Sequence, residues 1–120
     1  MSTRPAILFV DDEERIVNQL RIIFRQKYNV YTATSGQEAL QILKAQSIDV
    51  LVSDQRMPGM LGIELLCEVR KYSPQTMRML LTGEPVDAYA ALGIGLVEEV
   101  VDDAAVDARV AEMASKIASF

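Results

Sequence analysis

Acidic side chains follow two apolar segments of strand length, and a hydroxyl follows a third. Asp11 and Asp12 come directly after ILFV, Asp54 follows VLVS, and Thr82 follows MLL. Carboxylates held close together repel one another unless a cation lies between them. Oxygen ligands, waters and room for a phosphate favour Mg²⁺ over Zn²⁺. The residues therefore predict a magnesium site, provided that the fold brings these segments together.

Short apolar segments alternate along the chain with segments of helical periodicity. The predicted strands are continuously apolar, which is typical of parallel strands covered by helices on both faces. The predicted elements, strand and helix in turn, are Ala6–Val10, Glu14–Gln26, Val30–Ala33, Gly36–Ala45, Val50–Ser53, Ile63–Lys71, Met77–Leu81, Val86–Leu92, Leu96–Val101 and Ala104–Ser119. The pattern predicts one domain over residues 1–120 with an α/β, flavodoxin-like fold: a doubly wound, five-stranded parallel sheet with five helices in a three-layer sandwich.

The first predicted helix carries an apolar stripe. Ile16, Leu20 and Ile23 recur at spacings of four and three, with Val17 and Phe24 beside them. Side chains at these spacings share one helix face, so this face is predicted to be buried against the sheet.

The next two helices carry a capping pattern and a cysteine. Ser35 and Glu38 form an S-x-x-E capping box before the apolar residues of the second helix. In the third helix, Cys67 lies among Leu65 and Leu66. We expect Cys67 to pack in or beside the core rather than to act as a redox switch.

The predicted sheet would bring the acidic residues to one edge. Ligands of open α/β sheets bind beyond the carboxyl ends of the strands, where Asp11, Asp12 and Asp54 would converge from two adjacent central strands. An alternative is that Asp12 or Glu13 caps the first helix without any metal. A capping role is less expected for Asp54, because Asp54 is followed by Gln-Arg-Met-Pro-Gly-Met rather than by a helix start.

Composition excludes several classes of function. The net charge is −5, so non-specific nucleic-acid binding, which depends on clustered Lys and Arg, is not expected. The chain contains no histidine, which excludes a His-based triad or a His metal site. A single cysteine, and the lack of a signal peptide or an apolar run of membrane-spanning length, lead us to expect a cytoplasmic protein that does not bind a membrane.

Three segments resemble the receiver domains of two-component response regulators in order and spacing. They are ILFVDDEERIV, VLVSDQRMPGMLGIELLCEVR and MRMLLTGEP, which carry DDE, D-x-R-M-P-G-M-x-G and LLTG. The resemblance is close over residues 6 to 85. Within the family, the chain looks most like receivers attached to c-di-GMP phosphodiesterase outputs or found alone.

The resemblance implies a role for each residue of the site. Asp54 would be the phosphoacceptor, a carboxylate nucleophile that forms an acyl phosphate. Asp12 would bind Mg²⁺ directly and Asp11 mostly through water, while Asp54 and the backbone carbonyl of Arg56 would supply further ligands. Thr82 would donate its hydroxyl to a phosphoryl oxygen. The glycines Gly59 and Gly62 would shape the loop beside Asp54.

The resemblance also implies the partners. By this resemblance, the phosphoryl group would come from a phosphohistidine on a sensor histidine kinase or phosphotransfer protein. The chain itself has no histidine, so that phosphohistidine must lie on the partner. Signalling would continue through an output domain or effector protein, and the family's usual dimer would join two copies through the fourth helix, fifth strand and fifth helix. Activity would be limited to phosphorylation and autodephosphorylation of Asp54, not conventional turnover.

The predicted fifth strand departs from the family pattern. Receivers normally end this strand with an aromatic residue, two apolar residues and Lys-Pro, whereas this chain reads EEVVDD over residues 98–103. Glu99 therefore takes the aromatic switch position and Asp102 the lysine position. A shifted alignment that places Asp103 under the lysine is open, and neither alignment restores a cation.

Two function hypotheses follow from these residues. The first is a phosphorylatable receiver with an altered switch or a role as a phosphate sink, which the retained acids and Thr82 favour. The second is a pseudo-receiver, a protein-interaction module that works regardless of phosphorylation. A flavodoxin-like cofactor binder is a remoter reading, because DDEE after the first strand would repel a phosphate unless a metal were present.

Overall fold

Five parallel strands form one sheet in the computed structural model, which describes residues 4–82 and 99–102, with the side chains of residues 4–81. The strands are β1 Ala6–Val10, β2 Asn29–Ala33, β3 Val50–Asp54, β4 Met77–Thr82 and β5 Glu99–Asp102. The helices of the described residues are α1 Glu14–Phe24, α2 Gly36–Ala45 and α3 Gly62–Tyr72. The strand order, β2-β1-β3-β4-β5, is that of flavodoxin-like α/β folds, as predicted.

The central strands β1 and β3 are buried on both faces because their residues alternate between two hydrophobic cores. Ile7 and Phe9 of β1 belong to the core beneath α1, whereas Leu8 and Val10 belong to the core beneath α2 and α3. Successive side chains of a strand point to opposite faces of the sheet, so a strand with helices on both sides must be apolar throughout. The predicted layering is thus confirmed for the three described helices.

The buried face of α1 differs from the predicted stripe at one position. Ile16, Leu20 and Phe24 are buried, whereas Ile23 is 48% exposed, so the prediction for Ile23 is wrong. A repeat of four residues carries the stripe from Leu20 to Phe24, whose ring lies 5.3 Å from that of Phe9 between centroids. The larger aromatic side chain therefore takes the position facing the sheet.

The N-terminus of α2 confirms the predicted cap. The Ser35 hydroxyl oxygen accepts a hydrogen bond from the Glu38 backbone N–H at 3.1 Å. The Glu38 carboxylate reaches back to the Thr34 N–H at 3.3 Å, one residue before the Ser35 N–H that a capping box uses. The S-x-x-E pattern therefore predicts the correct helix start, although the Glu38 carboxylate accepts from Thr34 rather than from Ser35.

Cys67 lies on the solvent side of α3, so the prediction that it packs in or beside the core is wrong. The buried side chains of this helix include Leu65, Leu66 and Val69. These residues recur at spacings that place them on one face, and Cys67 falls outside that face.

The predicted fourth and fifth helices, residues 86–92 and 104–119, lie outside the described residues. Among the helices that the structure does describe, none has the length and apolar composition needed to cross a membrane.

The exposure of Ile23 gives a test of the core assignment. We expect Leu20→Ala to lower the free energy of unfolding by about 2–5 kcal/mol, because it leaves a cavity under α1. Ile23→Ala removes a half-exposed side chain from the same helix and should cost about 1 kcal/mol or less. Urea denaturation of both variants measures the difference, and equal losses would contradict the assignment.

Candidate metal and phosphoryl-transfer site

The pairing of β1 with β3 brings the strand-end aspartates together. Val10 of β1 lies opposite Ser53 of β3 in the parallel register. The next residue on each strand is an aspartate, Asp11 after Val10 and Asp54 after Ser53. Both lie at the carboxyl edge of the sheet, where sites of open α/β folds are found.

Three carboxylates meet at this edge. Asp11, Asp12 and Asp54 each offer an oxygen, and these oxygens lie within 4.8 Å of one another. Asp11 and Asp54 are only 2% and 6% exposed, whereas Asp12 is exposed. We call these three residues the acid cluster. Two of its members are thus held inside the fold and one faces solvent.

Asp11 has a second role at the start of α1. Its Oδ1 atom accepts a hydrogen bond from the Glu13 N–H at 2.9 Å, while its Oδ2 atom is buried. Glu13 is the N-cap residue of α1 and makes no capping hydrogen bond with its own side chain. Glu13 therefore takes the N-cap position that the alternative allowed, but its side chain does not cap the helix.

The chemistry of the acid cluster fits a hard divalent cation. At about 5 Å and an effective dielectric near 20, two unit negative charges such as those of Asp11 and Asp54 repel by roughly 3 kcal/mol. A divalent ion bound between them offsets that repulsion. The cluster offers carboxylate oxygens and neither nitrogen nor sulfur, which suits Mg²⁺ better than Zn²⁺.

The loop after Asp54 is shaped by its two glycines. Gly59 has a φ of +83°, a left-handed conformation that glycine adopts without steric cost. A Cβ at Gly62 would lie 2.3 Å from the Asp54 carbonyl oxygen, so only glycine allows α3 to begin this close to the site. The expectation that these glycines shape the loop agrees with this geometry.

The other predicted site residues are placed only in part. Arg56 lies exposed in the loop directly after β3. Thr82 ends β4, and the backbone register sets Asp102 of β5 opposite it, while Glu99 lies opposite Met79. The side chains of Thr82, Glu99 and Asp102 lie outside the described residues, so their roles stay predictions.

Gln55 is a site residue that sequence reasoning missed. It directly follows Asp54, is 8% exposed, and accepts a hydrogen bond from the Ile63 N–H on its side-chain oxygen at 2.9 Å. A polar residue directly after a buried strand was the available signal. Its partner, eight residues along the chain, lies beyond any local pattern.

Comparison with known proteins shows the family. The model of the response regulator receiver domain matches residues 7–110. The chain is 40% identical over 84 residues to the hydrogenase transcriptional regulatory protein HoxA of Cupriavidus necator, covering 69% of this chain. The chain spans 17% of the length of that relative.

Solved structures show the same fold. The response regulator TrrA of Thermotoga maritima, in complex with Mg²⁺ and BeF, has a TM-score of 0.78 at 28% identity, covering 96% of this chain and 97% of that one. The chemotaxis protein CheY4 of Vibrio cholerae has a TM-score of 0.82 at 25% identity, with 98% of each chain covered. With the family match, these findings show that the chain belongs to the response regulator receiver domain family of two-component systems.

The close approach at Gly62 gives a test of the loop geometry. We expect Gly62→Ala to lower the free energy of unfolding by about 1–3 kcal/mol, because the added methyl group must displace the Asp54 carbonyl or the start of α3. Gly59→Asn is the comparison: open space surrounds Gly59, so this variant carries only the backbone strain of a left-handed asparagine and should lose less stability than Gly62→Ala. Thermal unfolding compares the two variants, and a neutral Gly62→Ala would contradict the geometry.

Proposed function

We propose that this receiver domain, taken as residues 1–120, accepts a phosphoryl group on Asp54 with the help of Mg²⁺. The donor would be a phosphohistidine on a sensor histidine kinase or phosphotransfer protein. The observation that supports the proposal is the acid cluster, in which a buried carboxylate at the end of β3 lies beside two more at the end of β1. Membership of the receiver family supports phosphoryl transfer as the reaction at this cluster.

The proposed transfer uses Asp54 as the nucleophile. A carboxylate oxygen of Asp54 forms a bond to phosphorus as the bond from phosphorus to the imidazole nitrogen breaks, and the imidazole leaves with the electron pair. The product on Asp54 is an acyl phosphate, which water later hydrolyses. In such transfers the protein contributes mainly position and charge neutralisation around the phosphoryl oxygens.

The remaining site residues are proposed to bind Mg²⁺ or to donate a hydrogen bond to the phosphoryl group. Asp12 would bind Mg²⁺ directly and Asp11 through water, with Asp54 and the Arg56 carbonyl as further ligands. When bound, Mg²⁺ neutralises negative charge on the carboxylates and on the transferred group. Thr82, at the end of the neighbouring strand β4, would donate its hydroxyl to a phosphoryl oxygen.

The proposed switch is atypical because acids occupy both of its positions. A lysine at the end of the fifth strand would attract a phosphoryl group, whereas Asp102 adds a negative charge opposite Thr82 in the backbone register. Glu99 likewise replaces the aromatic side chain that reports occupancy in the family. We therefore propose that phosphorylation of this domain produces a short-lived or weakly coupled state.

The alternative is a pseudo-receiver that binds a partner regardless of phosphorylation. Its support is the same pair of acids in β5, since a domain that never holds a phosphoryl group has no need of the lysine. The acid cluster favours the first proposal, because three carboxylates this close repel one another unless a cation lies between them. In either case the downstream partner would be an output domain, an effector protein or a second copy of the chain.

Phosphorylation of Asp54 is tested with acetyl phosphate and Mg²⁺, followed by mass spectrometry of the intact protein. We expect the wild-type chain to gain the mass of one phosphoryl group and Asp54→Asn to gain none. Asp49→Asn is the matched control, because the Asp49 carboxylate accepts a hydrogen bond from the Ala6 N–H at the opposite end of the sheet. Chelation of Mg²⁺ should abolish labelling of the wild type. A wild-type chain that stays unmodified, with no Mg²⁺-dependent NMR shifts, would remove the proposal.

The role of Asp102 is tested by restoring the family's cation. We expect Asp102→Lys to slow dephosphorylation of Asp54, because an ammonium group would pair with a phosphoryl oxygen. Asp103→Lys makes the same charge change one residue along and tests the shifted alignment. The decay of the phosphorylated mass over time gives both rates, and unchanged rates and unchanged dimerisation would count against Asp102 facing the site.

A further inference from the structure

The start of α3 is held by hydrogen bonds that return to the end of β3. The Gly62 N–H donates to the Gln55 carbonyl oxygen at 2.9 Å, and the Ile63 N–H donates to the Gln55 side-chain oxygen at 2.9 Å. The N-cap residue, Leu61, has no side-chain acceptor of its own. Gln55 therefore performs, from a distance of eight residues, the capping that serine or aspartate usually performs locally.

Gln55 is fixed in the fold by its backbone as well as its side chain. Its N–H donates to the Leu81 carbonyl at 3.0 Å, which extends the β3–β4 pairing one residue past Asp54. On the other side of Arg56, Met57 is 6% exposed and packs in the core beneath α2 and α3. The exposed Arg56 thus lies between two anchored residues, and its peptide carbonyl depends on both for its position.

The side-chain type at position 55 meets two requirements at once. An acceptor is needed at the part-buried start of α3, because leaving the Ile63 N–H without one there would cost free energy. A glutamate would supply that acceptor but would add a further carboxylate directly beside Asp54 in the chain. An aliphatic side chain would fill the space and leave the Ile63 N–H without its acceptor. The neutral amide of Gln55 satisfies the helix and leaves the charge of the acid cluster unchanged.

We infer that Gln55 is a positioning residue of the site: its amide ties the start of α3 to the end of β3, and so fixes the Arg56 carbonyl relative to Asp54. This inference rests on the proposed function, in which that carbonyl is a Mg²⁺ ligand. Gln55 itself does not bind the ion. It acts as the outer residues of metal sites do, by orienting the groups that bind.

The test compares Mg²⁺ affinity and amide exchange in three variants. Gln55→Met keeps the length of the side chain and removes the acceptor, and we expect it to weaken Mg²⁺ binding on the order of tenfold and to speed exchange of the Ile63 amide. Gln55→Glu restores an acceptor at the same reach and adds a negative charge, so it should keep Ile63 protected and bind Mg²⁺ at least as tightly as the wild type. Both quantities are measured by NMR, with MgCl₂ as the titrant.

Thr76→Val controls for general loss of stability. The Thr76 hydroxyl donates to the Ile48 carbonyl at 2.8 Å, at the other end of the sheet. This variant should lower the urea midpoint and leave Mg²⁺ affinity at the wild-type value. If Gln55→Met does not fold, Gln55→Asn takes its place, because its amide is one methylene too short to reach Ile63.

The outcomes separate the two proposals. Wild-type Mg²⁺ affinity in Gln55→Met, or a Gln55→Glu variant as weak as Gln55→Met, overturns the positioning role while the proposed function stands. Equal weakening in Thr76→Val also overturns it, since the effect would then follow stability alone. A wild-type chain that shows no Mg²⁺-dependent shift removes the proposed function and the positioning role together.

Discussion

The parallel pairing of β1 with β3 is the interaction on which the site depends. The register that sets Val10 opposite Ser53 also places Asp11 beside Asp54. A slip of one residue would exchange the two faces of β1 and move Phe9 from the core beneath α1 to the opposite core. Because both cores are filled by side chains of different shape, packing holds the register. The geometry of the acid cluster is therefore a consequence of hydrophobic packing several residues away.

The same packing supplies the free energy that holds like charges together. Repulsion between Asp11 and Asp54 is roughly 3 kcal/mol at an effective dielectric near 20, while full burial of one large apolar side chain contributes about 1.5–3 kcal/mol. Phe9, Leu51 and Leu80 are among many such buried side chains in the sheet. A few core residues thus offset the electrostatic cost, which lets the fold keep a charged site ready for a cation.

The parts of the fold that follow from local patterns could be predicted from the sequence. The end of β1 was predictable because its apolar run stops at Asp11, and the start of α2 was predictable from Ser35. In contrast, β3 includes Asp54 and so runs one residue past its predicted end. Ile23 and Cys67 could not be placed, because hydrophobicity alone does not say which of two adjacent residues faces the sheet. The hydrogen bond of Gln55 could not be predicted for a different reason, since its side-chain oxygen accepts from the backbone N–H of Ile63, eight residues away. A contact of that kind exists only once α3 has packed against β3.

The uneven burial of the acid cluster leaves the site open to solvent on the side of Asp12. Asp11 and Asp54 are enclosed, and Asp12 is the member that meets solvent. A hydrated divalent cation would give up its waters reluctantly, and Asp12 is the carboxylate that it would reach from solvent without first entering the fold. An ion bound at this edge would therefore exchange with solvent without opening the sheet or either core. The domain would then stay folded as the ion comes and goes, and its stability would rise when the ion is bound.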